Sequence, residues 1–157
     1  MRVFKKVLKI AVLLIALAFI GIQFIRPEMT NPPEVAGETL EASTQVPPDV
    51  GAILARSCSD CHSNRTVYPL YSYVAPASWM LANHIRDGRR ELNFSVWNTY
   101  DKRRKERKLD EICDEVQLGE MPLPSYLWIH WDAKLNQGDA NTICDWTRAE
   151  KEKLQQQ

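Results

Sequence analysis

Five consecutive residues, Cys58-Ser59-Asp60-Cys61-His62, carry the side chains that most constrain the chemistry open to this chain. Two thiols three positions apart fall on one turn, where each can add to one of the two vinyl groups of a single porphyrin. The imidazole that follows then lies beneath the ring and offers a nitrogen to iron. This C-x-x-C-H spacing is the attachment signature of a c-type haem. The other uses of a close cysteine pair need partners that are missing. A thioredoxin-like dithiol requires a βαβ setting, which the downstream sequence does not supply. A zinc knuckle requires a second close pair, and Cys113 and Cys144 are too far apart to form one. The sequence therefore implies one covalently attached haem c, bound through Cys58 and Cys61 with His62 as an axial ligand.

Iron in such a site takes a second ligand from the far face, and the candidates are Met80, His84, Met121 and His130. Met121 stands in Gly119-Glu120-Met121-Pro122-Leu123-Pro124, at a helix end and followed by two prolines, so its thioether sits on a stiff loop. A thioether ligand raises the reduction potential relative to a second histidine. His130, flanked by Trp128 and Trp131, is the alternative ligand, or a hydrogen-bond partner for a haem propionate. His84 falls mid-helix and reads as an ordinary core or surface histidine. The carbonyl of Pro69, or else of Pro76, is expected to accept the His62 ring N–H and so orient the imidazole. With both axial positions filled and no nucleophile–base pair in view, the chain reads as an electron carrier rather than a catalyst. A peroxidase-like enzyme with an open distal position, and a sensor whose Met121 is displaced by a gas, are the alternatives.

The elements that must position these residues read as helices, and the body, 49–157, is all-α. Asp49 is placed to cap a helix running to about Ser57, and a second helix covers Ala77 to Glu91 after Pro76. A third runs from Ser95 or Asp101 to Leu118. Its apolar stripe is Leu109, Ile112, Cys113 and Val116, spaced i, i+3, i+4, i+7, and Gly119 stops it. A last helix follows Asn136, with Ile143 and Trp146 or Thr147 turned inward, and Gly51 and Trp146 are expected where the first and last helices cross. Cys113 and Cys144 lie in two apolar stripes, either bridged or as two buried thiols. The five tryptophans are expected in the core and in the wall of the haem crevice. The basic run Lys102 to Lys108 is interleaved with six acidic residues in 101–115, as a solvated helix face would be.

Upstream of the body the composition changes twice. Every charge from Met1 to Arg26 is positive, and the stretch Ile10 to Ile25 contains one strongly polar residue, Gln23. Counted from Val7 the run is nineteen residues, against about twenty needed to span a bilayer as a helix. Residues 1–26 are therefore expected to be a single membrane anchor, with a cleaved signal ending at Ala16-Leu17-Ala18 as the alternative. The basic flank would put the body on the periplasmic side of the inner membrane. Residues 27–48 hold five of the nine prolines and read as an extended linker. The chain as a whole carries 20 basic and 20 acidic residues, but without the leader 15 basic face 20 acidic, a net charge of −5. That balance argues against a nucleic-acid binder and favours a redox partner with a basic docking patch.

These motifs together resemble the bacterial haem-binding domain family of small, N-terminally anchored, mono-haem c-type proteins. The resemblance is carried by Cys58 to Thr66, Tyr68-Pro69-Leu70-Tyr71-Ser72, Ala75-Pro76-Ala77-Ser78-Trp79 and Leu92-Asn93-Phe94-Ser95-Val96-Trp97. It continues through Gly119 to Tyr126, then Ile129-His130 and Ala133-Lys134-Leu135. It implies a cytochrome-c-like helical fold, with haem bound through Cys58 and Cys61 and His62 as axial ligand. Trp131 stands where the family pattern has a proline after the histidine.

Overall fold

The computed structural model describes residues 2–156. In chain order its α-helices are α1 (Arg2–Ile22), α2 (Leu40–Ser43), α3 (Pro48–Ser57), α4 (Ser59–His62), α5 (Ala77–Glu91), α6 (Lys102–Leu118), α7 (Pro124–Leu127) and α8 (Gln137–Gln155). Short 3-10 turns cover Leu70–Tyr73, Phe94–Thr99 and Trp131–Ala133, and no strand occurs among the described residues. The chain divides into two compact units. One holds the residues up to Thr30 and Val67–Arg86, and the other holds Asn31–Thr66 and the chain from Asp87 onward.

The first unit corrects the reading of the leader. Among the described residues no helix is long and apolar enough to cross a membrane, so the expected transmembrane helix and single-pass location in the inner membrane do not hold. The physical reason lies in where α1 begins and ends. Lys5, Lys6 and Lys9 occupy its first turns, and the helix stops at Ile22 rather than running on to Ile25. The uninterrupted apolar part, Ile10 to Ile22, is roughly 20 Å long at 1.5 Å per residue, against a hydrocarbon core of about 30 Å. Beyond the helix the chain is tied to the second segment of its own unit. The Gln23 side chain donates to the Ala75 carbonyl at 3.1 Å and accepts from the Ala75 N–H at 2.9 Å. The indole of Trp79 donates to the Ile25 carbonyl at 2.7 Å.

In the second unit α6 and α8 pack side by side. Asp101 caps α6 by accepting the Arg104 N–H at 2.7 Å, and Gly119 ends it in the left-handed conformation, φ 72°. A residue with a Cβ would be strained at that angle. Asn136 and Asp139 form a reciprocal capping box at the start of α8. The expected stripes meet between these helices: Leu109 and Ile143 are each 1% exposed, and Cys113 and Cys144 are joined by a disulfide with Cα atoms 4.7 Å apart. Helix α3 is not capped by Asp49: it begins at Pro48, two residues earlier than a cap at Asp49 would set it, and the missing N–H of Pro48 costs nothing at a first helical position. It packs on α8, but Gly51 does not mark the crossing: a Cβ there would meet only the side chain of Val46.

Two further expectations change. Trp97 and Trp146 are buried in the core, whereas Trp128 and Trp131 are each 80% exposed. From Asn31 onward the proline-rich segment, read above as an extended linker, folds as part of the second unit. Leu40 is buried in the core, Glu34 pairs with Arg65 at 2.7 Å, and the Glu38 carbonyl accepts the Asn98 N–H at 2.8 Å. Prolines block a long helix here, yet they leave Leu40 and the acidic side chains able to pack.

The disulfide closes a loop of 31 residues and restricts the unfolded chain. Replacing Cys113 and Cys144 together by serine is expected to lower stability by roughly 3–4 kcal/mol. Urea unfolding of the oxidised wild type and the variant, followed by helical circular dichroism, checks this.

Candidate functional site

The C-x-x-C-H string folds as a single turn because α3 breaks at its first cysteine. Cys58 leaves helical geometry (φ −126°, ψ −42°), and its carbonyl then accepts the N–H groups of both Cys61 (3.2 Å) and His62 (3.0 Å). That turn, α4, is held on several sides by its own unit. Ser59 Oγ donates to the Leu54 carbonyl at 3.0 Å, and Thr66 Oγ1 donates to the Asp60 carbonyl at 2.5 Å. Arg89 Nε donates to the Ser63 carbonyl at 2.8 Å. The Asn64 N–H donates to Ser95 Oγ at 2.9 Å, and the Asn64 side-chain carbonyl accepts from the Asn93 amide at 2.9 Å.

The C-terminal end of α5 meets this turn at van der Waals distance. A Cβ on Gly88 would lie 2.7 Å from the Cys61 carbonyl oxygen, and 3.2 Å from both the carbonyl carbon and the Cβ of Cys61. Only a residue without a side chain allows that approach. It brings His62 Nδ1 to 3.1 Å from the Gly88 carbonyl and 3.0 Å from the Leu92 carbonyl. Carbonyl oxygens only accept, so Nδ1 carries the proton and Nε2 is the bare nitrogen that metal ligation requires. The expected orienting carbonyls, Pro69 and Pro76, are not used. Pro69 accepts from Ser72, Pro76 accepts from Trp79 and Met80, and all of these residues belong to the first unit.

His62, Cys58 and Met121 line one cavity of about 210 Å³. Its walls are mainly apolar: Leu54, Leu92 and Phe94 from the core, with Ile112 and Val116 from α6. The Phe94 and His62 rings lie 6.3 Å apart between centroids and are tilted against each other. Burial holds the His62 imidazole below its ordinary pKa; its two backbone hydrogen bonds oppose that shift, and the Lys108 charge adds to it. Burial also pushes the Cys58 thiol up to about 12, helped by Cys61, and the Cys61 thiol up to about 11, helped by Asp60. A redox dithiol needs the opposite shift, so the pair lacks the electrostatics of a thioredoxin-like site.

Met80 and His84 belong to the first unit. His130 is not among the residues that line the cavity; its ring stacks on Tyr126, with centroids 4.2 Å apart. The sequence reading missed Gly88, Leu92 and Tyr126. Gly88 did carry a signal, since a glycine within a helix costs about 1 kcal/mol relative to alanine and calls for a reason. It also missed Lys108, which is 8% exposed on the cavity wall and pairs with Glu111 at 2.5 Å.

The profile of the haem-binding domain family matches residues 17–149, most of the chain. The chain belongs to that family and binds haem. No curated protein and no solved structure matches it. The residues present fit the group. A mainly apolar cavity adjoins an imidazole with Nε2 unprotonated, and two thiols that form no disulfide stand on the same turn. The fit extends to Ser57 Oγ, in the wall beside Cys58. It is the one buried side-chain oxygen or nitrogen among the described residues that has no hydrogen-bond partner in the protein. An orphaned hydroxyl of this kind carries a desolvation penalty that a polar atom of a bound group would relieve.

In this haem-binding domain the contact between Gly88 and Cys61 sets the position of His62. Gly88→Ala is expected to force α5 away from the C-x-x-C-H turn, costing about 1–3 kcal/mol of stability although alanine is the better helix former. Haem content per chain should fall with it. Denaturant unfolding and haem absorbance per mole of protein measure the two effects separately.

Proposed function

We propose that this domain holds one haem c through thioethers at Cys58 and Cys61, with His62 and Met121 as axial ligands, and that it serves as an electron carrier. The observation that supports this best is that Cys58, His62 and Met121 line the same mainly apolar cavity. Attachment needs no further reactant: each S–H adds across a vinyl double bond, its sulfur to one carbon and its hydrogen to the other. When bound, haem supplies a one-electron iron couple.

The chain's own residues have distinct parts in this reading. Gly88 and Leu92 hold the His62 N–H and keep Nε2 available as a ligand. Leu54, Leu92, Phe94, Ile112 and Val116 exclude water from the iron's surroundings. Met121 offers a neutral, polarisable thioether, which favours the ferrous form more than a second imidazole would and so raises the potential. Glu91, Glu111 and Glu115 also line the cavity. They favour a redox partner that docks with a basic patch, an association that salt weakens.

The intact protein is expected to be heavier by the mass of one haem, and replacing both Cys58 and Cys61 with alanine should abolish the increment. The ferric protein should show the weak absorption band near the red edge that marks a methionine–iron bond, and Met121→Ala should remove it. A high-spin ferric spectrum in the wild type would defeat the ligand assignment and favour a peroxidase-like enzyme or a gas sensor. A band that survives in Met121→Ala would point to another distal ligand.

A further inference from the structure

The loop that carries Met121 is held at two points, and only one of them belongs to the helix it leaves. Upstream, the N–H groups of Glu120 and Met121 both donate to the Glu115 carbonyl, at 3.0 and 3.2 Å, which fastens the loop to the end of α6. Downstream, Pro122 and Leu123 lead into α7, where the Tyr126 N–H donates to the Leu123 carbonyl at 2.9 Å. The Tyr126 side chain then reaches the C-x-x-C-H turn. Its hydroxyl donates to Asp60 Oδ2 at 3.0 Å, and Asp60 lies between the two cysteines of the C-x-x-C-H turn.

We propose that Tyr126, through its hydrogen bond to Asp60, is a positioning residue that holds Met121 over the iron by tying the distal loop to the haem-attachment turn. This rests on the His/Met ligation set out above. The geometry makes the tie stiff from end to end. The Tyr126 ring is stacked on His130 at 4.2 Å with planes 8° apart, and the His130 N–H donates to the Tyr126 carbonyl at 3.1 Å, so neither ring nor backbone is loose. On the other side the Asp60 backbone carbonyl accepts from Thr66 Oγ1. Four residues separate Met121 from Tyr126, and two of them, Pro122 and Pro124, limit how far that stretch can flex. Without the phenol the tie to Asp60 is lost, and Met121 yields more readily to a competing ligand.

Imidazole is the probe, titrated into the full-length, haem-loaded ferric protein while the methionine–iron band is followed. Tyr126→Phe keeps the ring and its stack but loses the donor, and Asp60→Ala loses the acceptor. Both are expected to retain one haem by mass and the band itself, and to bind imidazole about tenfold more tightly than wild type, as expected for loss of a hydrogen bond to a charged acceptor. Asp60→Asn keeps an acceptor oxygen in place and is expected to lie much closer to wild type than Asp60→Ala does. Imidazole affinities for Tyr126→Phe and Asp60→Ala within about twofold of wild type would overturn the proposal. So would loss of haem from both variants, because that is how a general structural tie behaves. Failure of the underlying ligation looks different: the wild type itself would lack the band, or Met121→Ala would bind imidazole no more tightly than wild type.

Discussion

The backbone contact between Gly88 and Cys61 is the constraint on which the rest of the site depends. At that separation the end of α5 and the C-x-x-C-H turn touch through main-chain atoms, with no side chain between them. Main chain is the least adjustable part of a protein, so a contact of this kind fixes position within tenths of an ångström. It also brings the Gly88 carbonyl, and the Leu92 carbonyl just past the helix, to the His62 ring. One contact thus sets the ring's orientation, its tautomer and its electrostatic environment, because the negative end of the helix dipole favours a proton on Nδ1.

The far wall of the cavity is built by a different strategy. Helix α6 contributes Ile112, Val116 and, past its glycine cap, Met121, and it is held against α8 by a disulfide and by the packing of Leu109 and Ile143. A covalent cross-link and an apolar seam fix the helix as a body, but they do not fix the loop beyond its end. The loop's register comes from the Glu115 carbonyl on one side and from Tyr126 on the other. Through Asp60 the C-x-x-C-H turn is tied to this loop as well.

How much of this could be read from the sequence depended on whether the information was local. The turn Cys58 to His62 is contiguous, and the bounds of α6 and the start of α8 are marked by Asp101, Gly119 and the Asn136–Asp139 box, each acting within a few residues. The apolar stripe of α6 was legible for the same reason. The acceptors for His62 were not, since which carbonyls face the ring is decided by how α5 crosses the turn. Pro69 and Pro76 are near in sequence, while Gly88 and Leu92 are near in space. The leader misled because hydropathy counts residues and not where a helix ends: α1 stops at Ile22. The segment 31–48 misled in the opposite sense, for proline content forecasts irregular backbone and says nothing of whether Leu40 is buried.

Lys108 shows why a charge run cannot be judged as a block. Of the basic residues in 102–108, Arg107 makes the expected i,i+4 pair with Glu111, and Arg104 lies over the Tyr100 ring at 3.9 Å. Lys108 turns the other way, into the cavity wall, where its ammonium is shared between Glu111 and, at 3.9 Å, Glu91. A buried ammonium is tolerated only when paired, and both partners line the cavity as well. This small network sets one ammonium against two carboxylates, and the ammonium opposes protonation of the His62 imidazole beside it. Removing either carboxylate would leave the ammonium with a single partner, whereas removing the lysine would leave two unpaired negative charges. Of the three, it is the Lys108 charge that bears on the ring.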